Sequence, residues 1–201
     1  MSYKKLSNKE LLDHLVQVVA SDRFLKMQGL GNEVPFFICP YNVRRTVDIE
    51  KIHKNLINQL LNQGIKILDI NLYDMCIDLL KDDDDWNWFI EHEATMAKDV
   101  LLESMQSILD VETCVIPAIA ETITSTEHDV LILSGVGEVF PFIRSHVVLN
   151  NLQSKAKEKP MLMFFPGSYT HSLETGASLD LFGKLHDDKY YRAFNILHAE
   201  V

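Results

Sequence analysis

The stretch DVLILSGVGEVFPFIRSHVVLNNLQ, residues 129–153, decides how the chain is read. It opens on an apolar run from Val130 to Leu133. It turns through Ser134-Gly135-Val136-Gly137 and then places Phe140, Ile143, Val147 and Val148 at helical spacing. A buried strand, a glycine-containing turn and a helix make half of a βαβ unit. In open α/β sheets, ligands and partners sit outside the carboxyl ends of the strands. Gly135 to Glu138 is therefore expected at a functional edge, provided that the sheet is parallel.

The same alternation extends toward the amino terminus. Ile65 to Ile70 reads as a strand. The helix before it, Asp48 to Asn62, places Ile49, Ile52, Leu56, Leu60 and Leu61 on one side, with Gly64 at the C-terminal cap. Val34 to Cys39 is the first strand, so a strand, a helix and a strand predict a crossover with parallel pairing between the two strands. Ser7 and Glu10 form a capping box before Leu11, Leu12, Leu15, Val18 and Val19, a helix ending near Ala20 to Asp22. Asn71 to Leu80 begins a further helix. Asp74 near its start suits the helix dipole, with a catalytic acid as the alternative. Phe89 to Leu109 follows helical periodicity, and Glu112 to Thr124 is another helix in which Pro117 marks a start or a kink. Toward the carboxyl terminus, Met161 to Phe165 is a strand ended by Pro166-Gly167, and Arg192 to Leu197 is a final strand. The fold class expected is α/β: a single three-layer domain over residues 1–201. Its mainly parallel sheet has about five strands flanked by helices, like a P-loop-ATPase core that lacks a Walker A loop.

Composition narrows function. The chain has 201 residues, 47% of them hydrophobic, enough for a substantial core. A formal net charge of −10 argues against sequence-independent nucleic-acid binding, which relies on Lys and Arg. Lys155, Lys157 and Lys159 read as a solvated segment. The start, MSYKKLSNKE, lacks the apolar region of a signal peptide. No apolar run approaches the ~18 residues of a membrane span. Cys39, Cys76 and Cys114 stand apart, as reduced thiols of a cytoplasmic protein do.

The motifs that carry chemistry are incomplete. Gly135-Val136-Gly137 is part of a dinucleotide fingerprint, but Phe140 stands where its third glycine belongs, and no G-x-x-x-x-G-K-[ST] occurs. Glu138, expected at a helix N-terminus, would repel a phosphate there. Gly29-Leu30-Gly31-Asn32 precedes a strand instead of following one, so its glycines read as positive-φ positions. Asp82 to Asp85 is read as a solvated loop; Trp86 and Trp88 are open between partner contact and core. Glu91-His92-Glu93 lacks the second histidine of a zinc motif, and His186-Asp187-Asp188 reads as a polar turn. Ser134 lacks the preceding glycine of a nucleophile elbow. No catalytic residue, cofactor or metal is expected from the residues, and no enzyme. Arg144 stays open between binding an acidic partner or anion and a structural salt bridge. Asn150 and Asn151 are expected to end their helix.

GVGEVFPFIRSH followed by LNNLQ resembles the BrxB family, one component of the BREX bacteriophage-exclusion systems. Three other segments agree: GLGNEVPFFI (29–38), ILDINLYD (67–74), and FFPGSY (164–169) with LFGKL (181–185) and YYRAF (190–194). Residues 81–93 match no family pattern. The resemblance covers nearly the whole length. It implies antiviral defence by systems that tell self from phage DNA by adenine methylation. Their components include a methyltransferase, a large ATPase (BrxC) and an alkaline-phosphatase-superfamily protein (PglZ). It further implies a non-catalytic assembly or adaptor subunit, with a PglZ-like protein as the first partner and a BrxC-like ATPase as the next. The alternative is a small-ligand- or nucleotide-binding enzyme with an unrecognised site. The expected contact surface is the carboxyl edge: Gly135, Gly137, Glu138, Arg144 and the loop with Pro166, Gly167 and Tyr169. Gly29, Gly31, Asn32 and Glu33 form a second candidate.

Overall fold

Along each central strand, alternate side chains leave by opposite faces, and the two sets feed two separate cores. A computed structural model describes residues 6–28, 36–82, 85–172, 176–188 and 193–199. Its strands are β1 (Phe36–Tyr41), β2 (Ile67–Asn71), β3 (Val130–Ser134), β4 (Met161–Ser172), β5 (Gly176–Leu181), β6 (Leu185–Asp188) and β7 (Phe194–Asn195). The main sheet runs β2-β3-β4-β1-β7 with every pairing parallel. Its helices are α1 (Asn8–Val19), α2 (Asp22–Leu25), α3 (Thr46–Asn62), α4 (Leu72–Asp82), α5 (Asp85–His92), α6 (Lys98–Ile108), α7 (Ile116–Ser125) and α8 (Ser145–Lys155).

Phe37, Cys39, Val130, Ile132, Leu162 and Phe164 form one core with Leu11, Leu15, Val18 and Val19 of α1 and Ile49, Ile52, Leu56 and Leu60 of α3. Their neighbours Phe36, Ile38, Leu68, Ile70, Leu131, Leu133, Met161 and Met163 turn the other way. They pack with Leu72, Cys76 and Leu80 of α4, Ile116 and Ile119 of α7, and Val148, Leu149 and Leu152 of α8. Strands buried on both faces read as continuous apolar runs, as Val130 to Leu133 does.

The local signals around α1 and α3 hold. Ser7 and Glu10 close the capping box (Ser7 N–H to Glu10 Oε2 2.8 Å, Glu10 N–H to Ser7 Oγ 3.3 Å). Gly64 takes φ +81° after α3. Pro117 sits in the first turn of α7, behind a π-helical turn over Val111–Val115.

Other expectations are corrected. β1 and β2 share the sheet but do not pair, because β3 and β4 lie between them. Among the described residues the sheet has seven strands, two more than expected, because β4 does not stop at Pro166-Gly167. It passes through both residues and continues as one strand of an antiparallel β4-β5-β6 extension. His186-Asp187-Asp188 thus lies in a strand, not a turn. The long helix expected over 89–109 is two helices. The break follows His92, whose carbonyl takes hydrogen bonds from the Thr95 hydroxyl (3.0 Å) and amide (3.0 Å), a local alternative to the helical ladder. The final strand shrinks to β7, followed by a 3₁₀ turn over Ile196–His198.

Candidate functional site

The carboxyl ends of β1, β2 and β3 fall at one edge, where β4 crosses into its extension. Asn71 ends β2 and caps α4: its Oδ1 accepts the Tyr73 amide (2.9 Å) and the Asp74 amide (3.3 Å). Gly135, leaving β3 at φ +72°, lies directly over this cap, and any Cβ there would collide with Asn71 Oδ1. Gly137 rests against Pro166 and Phe182; a Cβ would sit 2.5 Å from the proline ring and 3.1 Å from the phenylalanine. The Gly135-x-Gly137 pair is therefore explained by close packing, not by an approach to phosphate.

Glu138 does not start a helix as expected. Helix α8 begins seven positions later, at Ser145, with Arg144 as its N-cap residue. Glu138 instead belongs to the exposed turn after β3. Partial burial holds its carboxyl above the usual range, and the carboxylates of Glu50 on α3 and Asp74 on α4 push the same way. Glu138 thus has one acid of α3 and one of α4 near it, three carboxylates from three elements. None forms an ion pair among the described residues. Tyr41, at the end of β1, has its hydroxyl pushed up to about 12, chiefly by burial and also by Glu138.

Between β1 and α3 the chain makes a 3₁₀ turn, Val43–Arg45, that consumes its own polar groups. Asn42 Oδ1 accepts the Arg44 amide (2.9 Å), the Asn42 carbonyl accepts the Arg45 amide (2.8 Å), and the Thr46 hydroxyl donates to the Val43 carbonyl (2.7 Å). Arg45 reaches across to Asn8 Oδ1 at 2.7 Å.

Arg144 is exposed and lines a recess of about 260 Å³ with Leu109, Asp110, Val111, Phe142 and Val147. Asp110 in this recess has its pKa lowered, first by the Thr113 hydroxyl and then by the Thr113 amide. Arg144 makes no ion pair among the described residues, so the salt-bridge reading finds no partner there. Asn151 lies within α8, its side-chain amide donating to the Val147 carbonyl (2.9 Å); the helix continues to Lys155, past the expected end.

Pro166 and Tyr169 build the edge from inside. Both are buried, and the Tyr169 hydroxyl donates to the Ala193 carbonyl at 2.7 Å. Burial pushes that hydroxyl up to about 12. Gly167 lets β4 pass close under the Asp180 carbonyl. Gly29, Gly31, Asn32 and Glu33 lie outside the described residues. Sequence reading brought Gly135, Gly137, Glu138 and Pro166 together. It missed Glu50 and Phe182, which come from distant segments and carry no motif. Among the described residues, no group of three or more His, Cys, Asp or Glu is placed to hold a metal ion, and no helix is long and apolar enough to cross a membrane.

The fold and this edge define a class: an α/β protein with a mainly parallel, helix-covered sheet, whose carboxyl edge is filled by packing and faced by acidic side chains. Within that class the chain belongs to the BrxB family, whose model, described as BREX protein BrxB, matches residues 68–196. A BREX protein BrxB of Bacillus cereus (strain H3081.97) is 31% identical over 192 residues, covering 94% of this chain and 96% of the relative. A BREX protein BrxB of Escherichia coli O9:H4 (strain HS) is 27% identical over 186 residues, covering 92% and 90%. No solved structure matches significantly. Family membership makes the protein a component of a BREX system.

Proposed function

We propose that the chain is a non-catalytic assembly subunit of its BREX system. In this reading it works as one α/β domain that joins a PglZ-like protein to the remaining machinery, with a BrxC-like ATPase as second partner. The observation that carries the reading is the filled carboxyl edge. Where an α/β enzyme opens a crevice for its ligand, Gly135 is seated on Asn71 and Gly137 on Pro166 and Phe182. The core is P-loop-ATPase-like in one respect: β1, inside the sheet, leads through a short connection into α3, where a phosphate loop would sit. Here that connection has no glycine, and its Arg44 and Arg45 amides are taken up by Asn42.

The recess beside Arg144, which Asp110 and Glu112 also line, is the place for a second reading, a small ligand bound to this chain. Co-expression with the PglZ-like protein, followed by size-exclusion chromatography with light scattering, tests the first. A complex of defined mass is the expected result. A chain that stays alone with both partners, yet gains thermal stability from a nucleotide by mass action, would shift the assignment to ligand binding. The Arg144→Glu variant tests Arg144 itself: an unchanged melting temperature with unchanged complex formation removes it from the contact surface.

A further inference from the structure

Large apolar side chains stand exposed at the same edge whose carboxylates form no ion pair among the described residues. Val43 is 45% exposed, Val47 64% and Tyr73 42%. Val47 and Glu50 are three apart on α3 and so share a helix face. Tyr73 and Asp74 open α4. Glu138 follows in the β3–α8 loop, which rests on the Asn71 cap and the Tyr73 amide through Gly135. Its carboxyl is held up by burial and by both Glu50 and Asp74. The edge thus carries exposed apolar side chains after β1 and after β2, and a Glu138 carboxyl near acids of both α3 and α4. Of the two arginines in the adjoining turn, Arg45 is committed to Asn8, and Arg44 is exposed.

The geometry points to this edge as the docking surface for a basic, apolar segment of a protein partner: a Lys or Arg set among apolar side chains. The inference rests on the assembly reading above and names the chemistry of the contact. Val43, Val47 and Tyr73 supply the apolar area, and Glu50, Asp74 and Glu138 choose the sign of the partner. A cation placed beside Glu138 relieves the repulsion that Glu50 and Asp74 exert on it in the free protein, and complementary charge speeds encounter and fixes register. A second copy of this chain does not fit. A two-fold interface sets the same patch against itself, carboxylate against carboxylate. Nucleic acid is excluded by the same charge.

The test uses the full chain co-purified with the PglZ-like protein of the same system. Wild type is compared with the triple variant Glu50→Lys, Asp74→Lys, Glu138→Lys and with Val47→Asp. A matched control, Asp13→Lys, Glu103→Lys, Glu121→Lys, makes the same change in net charge on the exposed faces of α1, α6 and α7. All changed positions but Val47 are exposed polar sites, so melting temperatures verify folding before binding is read. The expected result is a dissociation constant weakened at least tenfold by the edge triple and by Val47→Asp. The control should stay within twofold, and wild-type affinity should fall as salt is raised. Edge variants that bind as wild type does, with a complex still present, overturn the docking surface and leave the assembly reading standing. A wild-type chain that binds neither the PglZ-like nor the BrxC-like protein overturns both.

Discussion

The helices around the main sheet are held unequally. On one face, α1 and α3 each contribute four fully buried apolar residues, and Leu15, Leu56 and Leu60 are completely inaccessible. On the other, α4, α7 and α8 bury apolar residues just as completely, but α5 buries only Phe89 and α6 buries nothing completely: Leu101, Met105 and Ile108 are half-covered, and Val100 is 48% exposed. The sheet supplies both layers with similar strands, so the difference lies in the helices. A helix that interlocks with the sheet along its length is held by the global unfolding free energy. One that leans on the core through half-buried side chains opens locally at lower cost. Helices α5 and α6 are therefore the ones that open most easily, while the packing of α1 and α3 holds the edge residues of β1 and α3 in place.

The sharpest way to break this contrast is a matched pair of truncations. Leu56→Ala empties a closed site and is expected to cost about 3 kcal/mol by the lost transfer energy and the cavity. Met105→Ala, half-solvated to begin with, is expected to cost about 1 kcal/mol. Urea unfolding measures both, and amide exchange should show α6 opening well before α3. Equal losses at the two sites would mean that α3 and α6 are energetically alike.

Gly135→Ala tests the edge itself. The residue has φ +72°, and its missing Cβ is what lets the loop seat on Asn71. An alanine has to bear both the left-handed backbone and the displacement of the α4 cap, an expected cost of about 2 kcal/mol. A Gly64→Ala control shares the positive φ, at +81°, but has open space around its Cβ position. The difference between the two variants isolates the close approach from the backbone strain.

That pair also shows what was legible in the sequence. Gly64 follows a periodic helix and announces itself as a cap. The capping box at Ser7 and Glu10 and the apolar run of β3 are equally local, and each was readable. Gly135 was readable as a turn, but the residue it makes room for, Asn71, is far off in the chain. The same limit hid the strand order, since nothing local to β1 or β2 tells that β3 and β4 come between them. Pro166-Gly167 misled for a different reason. The pair is a turn signal, yet Pro166 sits where β4 leaves the parallel sheet, and Gly167 serves close strand approach under Asp180. Glu50 was read within an amphipathic helix and had no mark of its own. Its proximity to Glu138 is a product of the fold.

The smallest expected effect is the most informative about that proximity. Glu138 has a folded-state pKa above its ordinary 4.5, through burial and then through Glu50 and Asp74. Below pH 4.5 it is protonated in both folded and unfolded chains, and its neutral form sits without penalty. As the pH rises through the folded pKa, the carboxylate must ionise against two others, and that stability is lost. At neutral pH the charge therefore works weakly against the fold. Glu138→Gln is expected to leave the melting temperature unchanged or slightly raised at pH 7, within about 0.5 kcal/mol, and to make no difference at pH 4. A clear loss of stability at pH 7 would mean that Glu138 is held by a cation within the folded chain, and the edge would then have no unmet negative charge to offer a partner.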